Sequence, residues 1–203
     1  MRTQAGSYRL AIAIRYWHSA RVIISNQIRP GEYMEPVGYL LAMAAELILK
    51  AFLIDRGIED KTLSRQIGHD LGAALKLSIE RGLAVSEQEA RALLAMREPH
   101  LSHFNRYGPK ALNGNVQLGA FLLADDNAAL QAVAMTIDRV SQDPKALRTM
   151  WQHLADLDWP VTLPLFAHVN LKKLAELEAG MRKEVSRIAA LNAQFGKMGI
   201  PTR

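Results

Sequence analysis

PVGYLLAMAAELILKAFLIDRG, residues 36–57, followed after a short connector by GHDLGAALKLSI, residues 68–79, is the stretch on which the fold turns. From Pro36 to Leu49 the only charged residue is Glu46. Apolar residues recur at Val37, Leu41, Ala44, Ile48 and Ala51, and a second set runs through Leu40, Met43, Leu47 and Ile54. A helix apolar on two faces is covered on most sides, so the spacing predicts a central core helix. Pro36 suits its first turn, where a missing N–H costs nothing, and Gly57 suits the left-handed position after its last turn.

Glu46 is the anomaly of that helix. A carboxylate between two apolar faces needs a partner or must stay protonated, because an unpaired buried charge costs several kcal/mol. Lys50, four residues on in the favourable order, and the His69 region are the expected partners. A structural role for Glu46 implies that Glu46→Ala lowers stability. In the second stretch Asp70 or His69 is expected to cap a helix carrying Leu71, Leu75 and Ile79, with Gly82 closing it. Ser86 and Glu89 then form the capping-box pattern of a further helix, SEQEARALLAMRE, which Pro99 interrupts.

Outside these stretches the reading is coarser. Residues 7–25 form a first helix with Leu10, Ile14, Trp17 and Ile24 on one face and His18 partly buried beside Trp17. Pro30-Gly31 makes the turn into the core helix, and Ile58–Ile67 is a short helix or loop. Asp126 opens a helix with Leu130, Val133, Ile137 and Val140 inward. Asp143-Pro144 starts another, Trp159–Pro164 breaks it, and Asn170–Lys197 is a long amphipathic helix with Leu174, Leu177, Met181, Ile188, Leu191 and Phe195 on one face. Its mixed Glu and Lys surface suits packing on the bundle or on a second chain better than a membrane surface.

Composition excludes several classes. The 203 residues are 49% hydrophobic, enough for one well-buried domain. With no cysteine, disulfides, thiolate catalysis and cysteine zinc sites are ruled out. No uninterrupted apolar run of about 20 residues is present, and the amino terminus lacks a basic and apolar leader, so the expectation is a cytoplasmic protein without a membrane span. The net charge of +5 lies at the amino terminus, where Arg2, Arg9, Arg15, Arg21 and Arg29 precede the first acidic residue. Such a surface attracts polyanions unless its arginines are solvated or paired within the fold.

The run Ala45-Glu46-Leu47-Ile48-Leu49-Lys50-Ala51-Phe52-Leu53, with Gly68-His69-Asp70-Leu71 and Leu75, resembles the HEPN superfamily, the higher-eukaryote and prokaryote nucleotide-binding domains. The resemblance covers roughly residues 7–141. It implies an all-α fold, an up-and-down bundle of four to five helices over residues 1–142, with 143–203 as a carboxy-terminal helical extension packing on the bundle or on a partner chain. It also implies a homodimer. Glu46, Lys50, His69 and Asp70 are then the structural motif of two core helices.

Many HEPN proteins are metal-independent ribonucleases marked by an arginine and, four to six residues later, a histidine. Arg97 and His103 have that spacing. By the resemblance, the RNA 2′-hydroxyl attacks, His103 serves as general acid or base and Arg97 sits on the scissile phosphate, with no cofactor or metal. Glu98 and Pro99 depart from the family pattern, since Glu98 adds negative charge beside an anionic substrate. His100–Gly119 reads as a long loop in which His100, Arg106, Tyr107 and Lys110 supply donors and a ring for a phosphate and a stacked base. His100 and His103 also have a spacing usable by a metal, but Pro99 and the absence of an evident acidic third ligand argue against it. Two functions remain: an RNA endonuclease, of the kind found in toxin-antitoxin or defence systems, and a non-catalytic module that binds a nucleotide, nucleic acid or protein partner.

Overall fold

The computed structural model describes residues 2–29, 31–104, 111–112, 115–116, 125–141 and 168–197. They form an all-helical packed bundle. Its helices are α1 (Gln4–Asn26), α2 (Met34–Asp55), α3 (Asp60–Gln66), α4 (Leu71–Glu80), α5 (Glu87–Ala95), α6 (Arg97–Leu101), α7 (Asp126–Ser141) and α8 (Leu171–Lys197). The only strands among the described residues are β1 (Ala111–Leu112) and β2 (Asn115–Val116), an antiparallel pair with Ala111 opposite Val116.

α2 is the hub, packed against α1, α4, α6 and α7. Both of its apolar faces are used: Val37, Leu41, Ala44, Ile48 and Ala51 are buried on one, and Leu47 and Ile54 on the other. By length and composition α2 could cross a bilayer, contrary to the expectation that no segment here could. Its apolar surface is instead largely covered by other helices, as befits a core element. The helix ends as expected, with Gly57 at φ +85 and its N–H donating to the Ile54 carbonyl at 2.9 Å.

α1 is locked to the end of α2 by a polar clasp. Thr3 caps α1, its Oγ1 accepting from Gly6 N at 2.9 Å, while Asp55 Oδ1 accepts from Thr3 N at 2.7 Å and Thr3 Oγ1 at 2.8 Å. Gly6 is required by this approach, because a Cβ there would collide with the Asp55 carboxylate. Arg2 pairs with Asp55 at 3.5 Å and also donates to the Val140 carbonyl, and Arg9 pairs with Asp60 at 2.6 Å. Arg21 lies over the Trp17 ring, 5.9 Å from its centroid. The basic amino terminus is therefore partly neutralised inside the fold. Trp17 anchors the other side of α1 by donating Nε1–H to the Leu130 carbonyl of α7 at 3.0 Å, and His18 beside it is half-buried.

α5 opens with the expected capping box, Ser86 Oγ accepting from Glu89 N at 3.2 Å and Glu89 Oε2 from Ser86 N at 2.8 Å. Glu89 is fully buried and takes a bidentate pair from Arg139 of α7 at 2.8 and 3.0 Å. Of the long stripe on α8, Leu174 and Leu177 are buried against the bundle, while Leu191 is exposed. The start of α8 is tied down by α4 and α5 packing, by Val169 N donating to the Val85 carbonyl at 3.0 Å and by a Lys173–Glu87 pair at 3.2 Å. The helix expected from Asp143 and the break at Trp159–Pro164 lie outside the described residues.

Candidate functional site

Gly68, with φ +56, reverses the chain after α3 and presents His69 just ahead of the α4 cap. Asp70 is the capping residue, its Oδ1 accepting from Gly72 N at 2.9 Å and Ala73 N at 3.1 Å. α6 follows α5 almost without a gap and carries Pro99 within its first turn, where proline is tolerated. His100 and Leu101 are thus helical rather than the start of a loop, which corrects the boundary expected from the sequence.

These elements converge on Glu46. Its Oε1 accepts from Lys50 Nζ at 2.7 Å, and its Oε2 faces both His69 Nδ1 at 3.0 Å and His100 Nε2 at 2.7 Å. Glu46, Lys50 and His100 are buried, at 4%, 7% and 3% exposure, whereas the His69 side chain is 53% exposed. Burial alone pushes the Glu46 carboxyl up, but the hydrogen bonds from His100, Lys50 and His69 outweigh it and hold the group at about 2. An ionised carboxylate only accepts, so both rings must donate to it. That fixes the donor atoms: His69 carries a proton on Nδ1 and His100 on Nε2, so a neutral His69 ring has its lone pair on Nε2.

His103 completes a row of rings. His69 and His100 centroids are 5.9 Å apart at 84°, and His69 and His103 centroids are 6.4 Å apart at 72°. His103 has φ +58, the only positive value outside glycine among the described residues. Left-handed backbone at such a residue costs of order 1 kcal/mol or more and often marks a functional position.

Arg97 is placed differently. Its Nε and Nη2 donate to Asp70 Oδ1 and Oδ2 at 2.6 and 2.7 Å, and Nη1 lies 4.0 Å from Glu98 Oε1. Burial pushes the Asp70 carboxyl up, but the hydrogen bonds from Arg97, Ala73 and Gly72 outweigh it and leave it below its ordinary value, and Asp70 in turn raises that of Arg97. Gly72 permits the approach, since a Cβ there would stand 2.8 Å from Arg97 Nε and 2.9 Å from its Cδ.

Of the residues singled out by sequence, Glu46, Lys50, His69 and His100 form one hydrogen-bonded cluster, His103 joins it through ring contact, and Asp70 and Arg97 form a neighbouring ion pair. Arg106, Tyr107 and Lys110 lie outside the described residues. The acidic group thought missing beside the histidines is Glu46, which approaches His100 from 54 residues away. Sequence reading treated His69 as scaffold only, although a half-exposed histidine on a buried carboxylate has the means to move a proton. The signal available was the unexplained Glu46 itself. No protein-family model matches the chain, and no curated protein or solved structure is significantly similar to it.

Proposed function

We propose that the chain is an HEPN-like RNA endonuclease that works without a metal, with His69 and His103 as the proton-transfer pair. The observation that carries this reading is the solvent-facing His69 ring, oriented by Glu46 at 3.0 Å and set beside His103 at 6.4 Å. His69 Nε2 takes the proton of the RNA 2′-hydroxyl as its oxygen attacks phosphorus. His103, protonated, delivers a proton to the departing 5′-oxygen, leaving a 2′,3′-cyclic phosphate and a 5′-hydroxyl end. Glu46 holds the His69 tautomer and stabilises the imidazolium that forms. Arg97, paired with Asp70, is a positioning residue for the start of α4 in this scheme rather than a phosphate ligand.

That same pairing favours a second reading, a non-catalytic module for a nucleotide, nucleic acid or protein partner, because a guanidinium committed to two carboxylates has little attraction left for phosphate. A homodimer belongs to either reading and finds support in the exposed Leu171 and Leu191 of α8.

The deciding experiment incubates purified protein with labelled RNA in EDTA beside His69→Gln and His103→Asn, the latter because asparagine accepts a left-handed backbone. Loss of one acid–base group should slow cleavage by about 10²- to 10⁴-fold. Absence of cleavage by the wild type, or cleavage undiminished in both variants, removes the nuclease and leaves the binding module.

A further inference from the structure

Glu46, His69 and His100 come from α2, the turn before α4, and α6, and their ligand-capable atoms all lie within 4.8 Å of one another. We infer that they form a binding site for a divalent cation of the zinc class, held by two imidazoles and one carboxylate oxygen.

Two histidines and a glutamate are a donor set suited to zinc, which leaves a fourth position for solvent or another ligand. Bonds of about 2.0–2.2 Å in tetrahedral geometry place neighbouring donors about 3.3 Å apart. Glu46 Oε2 stands 2.7 Å from His100 Nε2 and 3.0 Å from His69 Nδ1, so these two pairs spread by about 0.3–0.6 Å, while the two imidazole nitrogens, within 4.8 Å of each other, draw in toward about 3.3 Å. Lys50 Nζ, at 2.7 Å from Oε1, occupies the other carboxylate oxygen and makes Oε2 a single, oriented ligand atom. The ammonium also weakens the pull of the carboxylate on a cation, which sets this site below an all-anionic one in affinity. Glu46 and His100 give a buried floor, and the exposed flank of His69 is the entry path. Each imidazole binds by moving its proton to its other ring nitrogen, so no net proton leaves the histidines.

The site shares Glu46 and His69 with the proposed nuclease but does not depend on that reading. A cation on Nδ1 moves the His69 proton to Nε2, the atom that serves as base, and so switches the proposed cleavage off.

The test is a titration of EDTA-treated full-length protein with Co²⁺, followed by visible absorption, and with Zn²⁺, followed by calorimetry. One ion per chain is expected, with Zn²⁺ displacing Co²⁺. His69→Ala, at an exposed position and checked for fold by circular dichroism, should weaken binding at least tenfold or so. His100→Ala should weaken it further, and His168→Ala, at an exposed histidine elsewhere, should not change it. No binding, binding indifferent to His69→Ala, or binding lost with His168→Ala overturns the site. Failure here leaves RNA cleavage in EDTA untouched, and binding by a protein that cleaves nothing leaves the metal site standing while the nuclease falls.

Discussion

Replacing Glu46 with alanine takes the acceptor away from three donors at once. Lys50 and His100, at 7% and 3% exposure, are then left in the core without it. Removing one partner of a buried pair costs about 3–5 kcal/mol, most of it the penalty of the stranded charge. At this chain length each kcal/mol lowers Tm by about 2–4 °C, so Glu46→Ala should melt roughly 6–20 °C below wild type at pH 7. The pH dependence isolates the cause. Glu46 is held at about 2 against an ordinary 4.5, which stabilises the fold by up to about 3 kcal/mol before solvent screening. A depressed carboxylate contributes fully above its unfolded value and loses its contribution as pH falls toward its folded one. The gap between wild type and Glu46→Ala should therefore be constant above about pH 5 and shrink between pH 5 and 2. Urea denaturation followed by circular dichroism at several pH values measures it. A gap under about 1 kcal/mol at pH 7, or one that does not narrow in acid, would refute the buried ion cluster as the lock of the core.

Gly72→Ala should push Arg97 off Asp70 and cost about 1–2 kcal/mol, with Arg97→Ala then adding little in the double variant; a double-mutant cycle by denaturant melts reads the coupling. Arg139→Ala should cost about 3 kcal/mol because it strands the fully buried Glu89, and Arg139→Ala with Glu89→Gln should recover part of that loss in thermal melts.

What the sequence made legible was local. The boundaries of α2, the Asp70 cap and the Ser86–Glu89 box follow from pattern and chemistry within a turn or two of chain, and the structure has them close to where they were expected. Lys50 was found as a partner of Glu46 because it lies one helical turn away. The His69 region was the other expected partner, and His69 does reach the carboxylate from 23 residues away; His100 reaches it from 54 and Asp70 reaches Arg97 from 27, contacts that depend on how helices dock and that pattern did not show. Periodicity shows which face is buried but not which polar group waits on the other side. Arg97 illustrates the limit: its spacing to His103 matched a catalytic pattern, while its guanidinium is held by Asp70, which the sequence offers as a cap and as part of the structural motif of two core helices but not as an arginine partner. α8 shows the same limit, since its apolar stripe is buried at Leu174 and Leu177, half-buried against the core at Met181 and exposed at Leu191.

The meeting of α2, the turn before α4 and α6 on one carboxylate has an evolutionary consequence. A lineage that lost Glu46 alone would keep a stranded ammonium, and one that lost Lys50 or His100 alone would keep an underpaired anion. Drift at positions 46, 50, 69 and 100 is thus expected to be concerted, with whole sets replaced together by apolar residues or retained together. Such a cluster, once inherited, is difficult to leave by single steps.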